Sequence, residues 1–112
     1  MSDFRSLTVW QKSMYLARGV YILTNKLPPE EKFGLSSQMR RCAVSIPSNI
    51  AEGSKRRTKQ DFMQFLKIAS GSSAELETQL LLAEQIYHIQ SKKEAELLKE
   101  VQKMLEGLMK KL

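Results

Sequence analysis

Apolar positions recur along most of this chain with the period of a helix, and they divide it into four segments. In the first, Trp10, Met14, Ala17, Tyr21 and Thr24 follow spacings of four, three, four and three, and Leu16, Val20, Leu23 and Leu27 form an adjoining stripe. A face this wide belongs to a helix lying on a core. Pro28-Pro29 ends it, because proline lacks an N–H and disfavours helical geometry in the residue before it. The second segment runs from Glu31 or Leu35 to Glu52, with Leu35, Met39, Cys42, Ile46, Ile50 and Gly53 as its stripe. Pro47 lies inside it, removing one backbone hydrogen bond and crowding the carbonyl of Ala43. The expectation is a second helix kinked near Pro47, with a split into two pieces as the extreme form. Gly53 is the natural C-terminal cap, since glycine enters left-handed backbone geometry without steric cost.

The third segment opens at Thr58-Lys59-Gln60-Asp61, with Thr58 as N-cap. Its stripe of Phe62, Leu66, Ala69, Ser73, Leu76, Leu80, Ala83 and Tyr87 alternates steps of four and three, the seam of a left-handed bundle. Ala69, Gly71, Ser72, Ser73 and Ala74 are small, and they allow a neighbouring helix to come close. The fourth segment begins at Ser91-Lys92-Lys93-Glu94, which has the pattern of a capping box. Leu97, Val101, Met104 and Leu108 form one stripe, and Leu98, Leu105 and Leu112 a second. No strand alternation, hairpin signal or repeat is present. Short connections make sequential helices antiparallel neighbours, so the expected fold is all-α: one up-down-up-down four-helix bundle domain spanning residues 1–112.

Length and composition add limits. At 112 residues the chain is one domain, large enough to bury about 65% of its unfolded surface without metal or disulfide support. A single cysteine, Cys42, excludes an internal disulfide and a multi-cysteine zinc site, and its apolar neighbours suit a buried structural thiol. The N-terminus has no apolar signal region, and no stretch approaches the roughly 18 apolar residues of a membrane span. Cytoplasmic localisation is the expectation, with no membrane partner.

Charge changes the picture more. The net charge is +6, but residues 39–70 alone carry seven basic and two acidic residues. Residues 71–112 carry six basic and seven acidic. A local positive excess attracts polyanions, nucleic acid foremost. Its centre is the run Ser54-Lys55-Arg56-Arg57-Thr58-Lys59 between the second and third segments. Arg40 and Arg41 lie earlier on the second, and Lys67 two turns into the third. Arg40, Arg41, Lys55, Arg56, Arg57 and Lys59 are therefore the candidate nucleic-acid-binding residues, gathered at one pole and neutralising phosphates without reading bases. The N-terminus at Thr58 adds backbone N–H donors to the same anion site. The opposing reading is a solvated turn with no ligand. Aromatic interleaving is weak, because Phe62 and Phe65 both fit the core. A helix-turn-helix with Gly53-Ser54 as its turn is disfavoured by the length of the flanking helices.

Catalysis has little support. His88, the one histidine, stands near a helix end without a partner at triad or ligand spacing, and a solvated or capping role suits it. Glu75 and Glu77 are two apart and diverge on a helix. Gly71-Ser72-Ser73 sits inside a helix rather than after a strand, so it is no phosphate loop. The chain reads as a non-enzyme with no catalytic residue, metal or cofactor. Gln38, Arg41, Ser45, Asn49 and Glu52 form a polar row on the second helix. They either face solvent or bond to Glu75 and Gln79 of the third helix or to another subunit. Met39, Val44 and Ile68, beside the main stripes, leave apolar surface to spare, which favours self-association.

Four stretches carry a family likeness: Phe4-Arg5-Ser6-Leu7-Thr8-Val9-Trp10-Gln11-Lys12, Phe33-Gly34-Leu35-Ser36-Ser37-Gln38-Met39-Arg40-Arg41, Ser45-Ile46-Pro47-Ser48-Asn49-Ile50-Ala51-Glu52-Gly53 and Ala74-Glu75-Leu76-Glu77-Thr78-Gln79-Leu80. Through them the chain resembles the 23S ribosomal RNA intervening-sequence proteins over nearly its whole length. Cys42 departs from the small residue expected there, and the fit loosens after Glu84. The resemblance implies an up-down four-helix bundle assembled as a ring-like homopentamer, with no established enzymatic activity. It also implies nucleic-acid binding through a basic surface of the ring. A distant relative accompanies a retroelement reverse transcriptase, so a structural adaptor ring with a protein partner is the alternative. A weak membrane-surface binder stands third, without a basic amphipathic helix to support it.

Overall fold

The computed structural model describes residues 3–112 and contains four helices: α1 (Thr8–Thr24), α2 (Leu35–Ser54), α3 (Lys59–Tyr87) and α4 (Lys92–Lys111). Two short 3-10 turns, Phe4–Ser6 and Pro29–Glu31, precede α1 and α2. Each helix packs against its sequence neighbour, and α4 returns to α1, closing an antiparallel up-down-up-down square. At 1.5 Å per residue the 29 residues of α3 span about 43 Å, and the molecule is 43 Å long. The longest helix therefore sets the length of the whole.

The core forms where the four stripes meet. Leu16, Val20, Met39, Ile46, Ile50, Leu66, Leu76, Leu98, Val101 and Leu105 are fully or almost fully buried. Met39 therefore leaves no apolar surface to spare, while Val44 and Ile68 are exposed. In α1 the stripe through Leu16, Val20 and Leu23 faces inward, while Met14 and Tyr21 of the companion stripe are 40% and 43% exposed. Buried hydroxyls bond within their own helices: Ser13 to the carbonyl of Trp10, Ser54 to that of Ala51 and Ser73 to that of Ser70. This i−3 bond lets a small polar residue enter a core without an orphaned donor.

The structure corrects three local expectations. First, of the two forms expected at Pro47, only the extreme one is excluded: α2 runs as one piece from Leu35 to Ser54 with Pro47 inside it and is not split. Second, Gly53 is not a cap. It lies inside α2, is buried and has no positive φ. A Cβ there would lie 2.6 Å from Phe65 Cβ and 2.9 Å from Phe62 Cδ1, so the glycine permits close packing of α2 on α3. Third, the Ser91 side chain makes no capping bond, although its carbonyl accepts from Ala95 N–H at 2.8 Å. The Thr58 cap does form, accepting from Asp61 N–H at 3.1 Å. His88 ends α3 in the left-handed conformation, at φ 57°.

Candidate nucleic-acid interface

The tight turn between α2 and α3, Lys55 to Thr58, presents three of the six candidate cations, and Lys59 opens α3 directly after it. Buried Gly53 and Ser54 bring the two helices together, so the residues that follow are forced outward. Lys55, Arg56, Arg57 and Lys59 are all exposed. Their surroundings differ. Arg56 Nη2 bonds Glu52 Oε2 at 3.0 Å, and its guanidinium lies 4.7 Å from the centre of the Phe65 ring. The Lys55 ammonium lies 5.9 Å from the Phe4 ring. Arg57 and Lys59 have no carboxylate in ion-pair range among the described residues. The first turn of α3 leaves the N–H groups of Lys59 and Gln60 unpaired, while exposed Asp61 offsets part of the helix-end charge.

Phe4 connects this turn to the start of the chain. Its ring meets Trp10 edge-on at 5.2 Å, and Arg5 lies 5.0 Å from its centre. Arg5 is itself paired with Asp3 at 3.0 Å; the Arg5 backbone N–H, and after it the guanidinium, hold the Asp3 carboxyl below its usual range. Aromatic rings thus stand beside the basic turn after all. Phe62 is core, at 4% exposure, but Phe65 is half-buried under Arg56. Phe4 and Phe65 are brought to the cations by folding.

Arg40 and Arg41 are elsewhere. They occupy the second turn of α2, about 22 Å along the helix from Lys55. The six residues are therefore not gathered at one pole: four sit in or directly after the α2–α3 turn and two near the opposite end. Arg40 also has structural work. Its Nε bonds Thr24 Oγ1 at 2.8 Å, its Nη2 bonds Asn25 Oδ1 at 2.9 Å, and its guanidinium lies 4.7 Å from the Tyr21 ring centre. This clasp ties α2 to the end of α1. Arg41 is exposed and has no ion pair.

The polar row on α2 partly turns inward. Ser45 Oγ bonds Ser72 Oγ at 2.9 Å, and Asn49 Nδ2 bonds the Ser45 carbonyl at 2.8 Å. The α3 partner of this row is Ser72, while Gln79 reaches Cys42 Sγ at 3.5 Å. Burial pushes the Cys42 thiol up, against the opposing effect of that Gln79 bond, which suits an inert thiol. Among the described residues no cluster of His, Cys, Asp or Glu is placed to hold a metal, and no helix is long and apolar enough to cross a membrane.

Comparison with known proteins places this architecture. No curated protein is matched by the sequence. Among solved structures, the chain is similar to the crystal structure of a protein of unknown function from the S23 ribosomal protein family of Bacteroides thetaiotaomicron. The two share 26% identity at a TM-score of 0.84, covering 92% of this chain and 99% of the other. The profile of the 23S rRNA-intervening sequence proteins matches residues 5–110. With almost every residue of the bundle inside that match, the chain belongs to the 23S rRNA-intervening sequence protein family.

Proposed function

We propose that this protein is a non-enzymatic, oligomeric nucleic-acid-binding bundle, with RNA as its polyanion. One observation carries the reading: Arg57 in the interhelical turn and Lys59 at the start of α3 are exposed and have no carboxylate in ion-pair range among the described residues, beside Lys55 and Arg56. Unpaired cations such as Arg57 and Lys59 release counterions from a phosphate backbone. The family is named for an intervening sequence of 23S rRNA, which makes RNA the first polyanion to test. Self-association multiplies a modest patch, because linked copies engage one strand at high effective concentration. Apolar surface for it is present: Val44 is 42%, Ile68 51%, Leu82 41% and Ile86 56% exposed.

Titration of a structured RNA and of DNA across a salt series tests the reading. Affinity should fall steeply with salt. Replacing Arg57 and Lys59 together with Ala should reduce the salt slope by about two, roughly one per lost phosphate contact. Affinity that is flat across the salt series, or untouched by the double substitution, rejects the reading. The exposed apolar faces also favour a second reading, an adaptor ring that holds a protein partner. It expects intact oligomers with no salt-dependent nucleic-acid binding in the same titrations.

A further inference from the structure

A second cationic surface lies at the other end of the bundle. A cleft of about 800 Å³ opens between the end of α1 and the start of α2, with Tyr21, Lys32, Phe33, Arg40 and Arg41 on its walls. No Asp or Glu lines it. Lys32 and Arg41 are exposed and, among the described residues, have no carboxylate in ion-pair range. Arg40 is held rigidly by its bonds to Thr24 and Asn25, yet its Nη1 donates to nothing among the described residues. A guanidinium fixed in place with one free edge is a preorganised anion donor.

Phe33 is the unusual member of this group. It is 89% exposed, the most open of the large apolar side chains. A phenyl ring gains nothing from water, and the core has no use for this one. The Lys32 ammonium lies 5.4 Å from its ring centre, a cation–π contact that keeps positive charge beside the ring. The acidic residues just before it do not neutralise the cleft. Glu31 is occupied by the Tyr87 hydroxyl and the Leu35 N–H, and Glu30 forms no ion pair.

An exposed ring, three cations and no acid select a flat ligand that carries negative charge. We infer that this cleft receives an unpaired nucleotide, its base stacked on Phe33 and its phosphate held by Arg40 Nη1, Arg41 and Lys32. The inference rests on the nucleic-acid reading above and adds to it a preference for unpaired over duplex strands. A base inside a duplex has both faces stacked already, so only a loop, bulge or end can offer one to Phe33. The α2–α3 turn, with its phosphate chemistry, does not discriminate in this way.

Fluorescence polarisation with the intact protein distinguishes the two. A labelled oligouridine strand is compared with a duplex of equal phosphate count, for wild type, Phe33→Ala and Phe33→Trp. Phe33→Ala should weaken single-strand binding at least about fivefold, from the loss of one stacked base, with the salt slope and duplex affinity unchanged. Phe33→Trp should restore it. Uridine monophosphate, followed by the ring-proton signals of Phe33, separates the sources: shifts assign free nucleotides as well as strands to the cleft, and unmoved signals assign strands alone. Equal weakening of strand and duplex, or no weakening of either, overturns the inference while leaving the basic turn intact as a binding site. So does light scattering that shows Phe33→Ala dissociating an oligomer, since the ring then belongs to a contact between copies. If wild type binds neither strand nor duplex, the nucleic-acid reading falls first and the cleft with it.

Discussion

Gly53 and Gly71 are both helical glycines, and their surroundings give them opposite roles. Gly53 faces Phe62 and Phe65 at distances no Cβ tolerates, whereas an added Cβ at Gly71 meets nothing within 4 Å. Replacing a helical glycine by alanine gains about 0.5–1 kcal/mol of backbone entropy. At Gly53 that gain is set against overpacking of about 1–3 kcal/mol, because the nearest atoms are Cβ and ring atoms of packed side chains. Gly53→Ala should therefore destabilise the bundle by on the order of 1–2 kcal/mol, and Gly71→Ala should stabilise it by up to about 1 kcal/mol. Urea midpoints for the two variants, read against wild type, check the opposite signs. Equal shifts in one direction would show that α2 and α3 do not meet at Gly53.

At the scale of elements, the loop between α1 and α2 is fastened to the end of α3. Glu31 accepts from the Tyr87 hydroxyl and, at 2.9 Å, from the Leu35 N–H at the start of α2. The Tyr87 hydroxyl is the larger cause holding the Glu31 carboxyl below its usual range, with the Leu35 N–H second. The same contact raises the Tyr87 hydroxyl above its usual range. A carboxylate with a depressed native pKa stabilises the fold in full above its unfolded value, and that stability is lost as pH falls through the native one. For Tyr87 the window is the reverse: stability is present below the ordinary tyrosine range and lost as pH rises through the raised native value. Tyr87→Phe should lower Tm at neutral pH, with the difference from wild type shrinking towards both strong acid and strong alkali. A constant difference across pH, measured by circular dichroism melts, would mean the hydroxyl contributes packing alone. Both groups are partly exposed to water, so the effect is modest.

For the whole molecule, exposed apolar surface lies on two separate faces. Val44 faces out beside a groove of about 700 Å³ between α1 and α2, lined by Trp10, Met14, Ile22 and Pro47. Ile68, Leu82 and Ile86, fourteen and then four residues apart, share one line along α3. Two unlike faces on one chain suit head-to-tail association, and when the rotation closes the product is a ring. Val44→Asp and Leu82→Asp should each break the proposed assembly. Mixed in equal amounts, the two variants rebuild a single intact interface and stop at a heterodimer in light scattering. A face that pairs with itself would instead leave one variant fully assembled, contrary to the ring.

Periodicity alone made the four helices legible, because a side-chain period of about 3.6 is imposed by the backbone and needs no neighbour to show it. Pro28-Pro29, Thr58 and the α3 seam marked their limits and inner faces for the same local reason. The cations of the α2–α3 turn were equally visible, since a charge run needs no fold to be counted. What glycine does at position 53 was not legible: the residue that caps a free helix is also the one that admits a second helix, and only Phe62 and Phe65 on α3 decide between them. The distance of Arg40 and Arg41 from the turn shows only when the rise of α2, 1.5 Å per residue, is counted along its length. The roles of Phe4, Phe33 and Phe65 were hidden for a more general reason. A ring in a sequence is core by default, and the packed bundle alone determines which rings the interior has no room for. The sequence by itself determined the elements, their order and the excess charge, all set by local geometry and composition. Tertiary structure decided which glycine packs, which arginine is a clasp and which rings meet cations at the surface, because those are properties of distances between residues far apart in the chain.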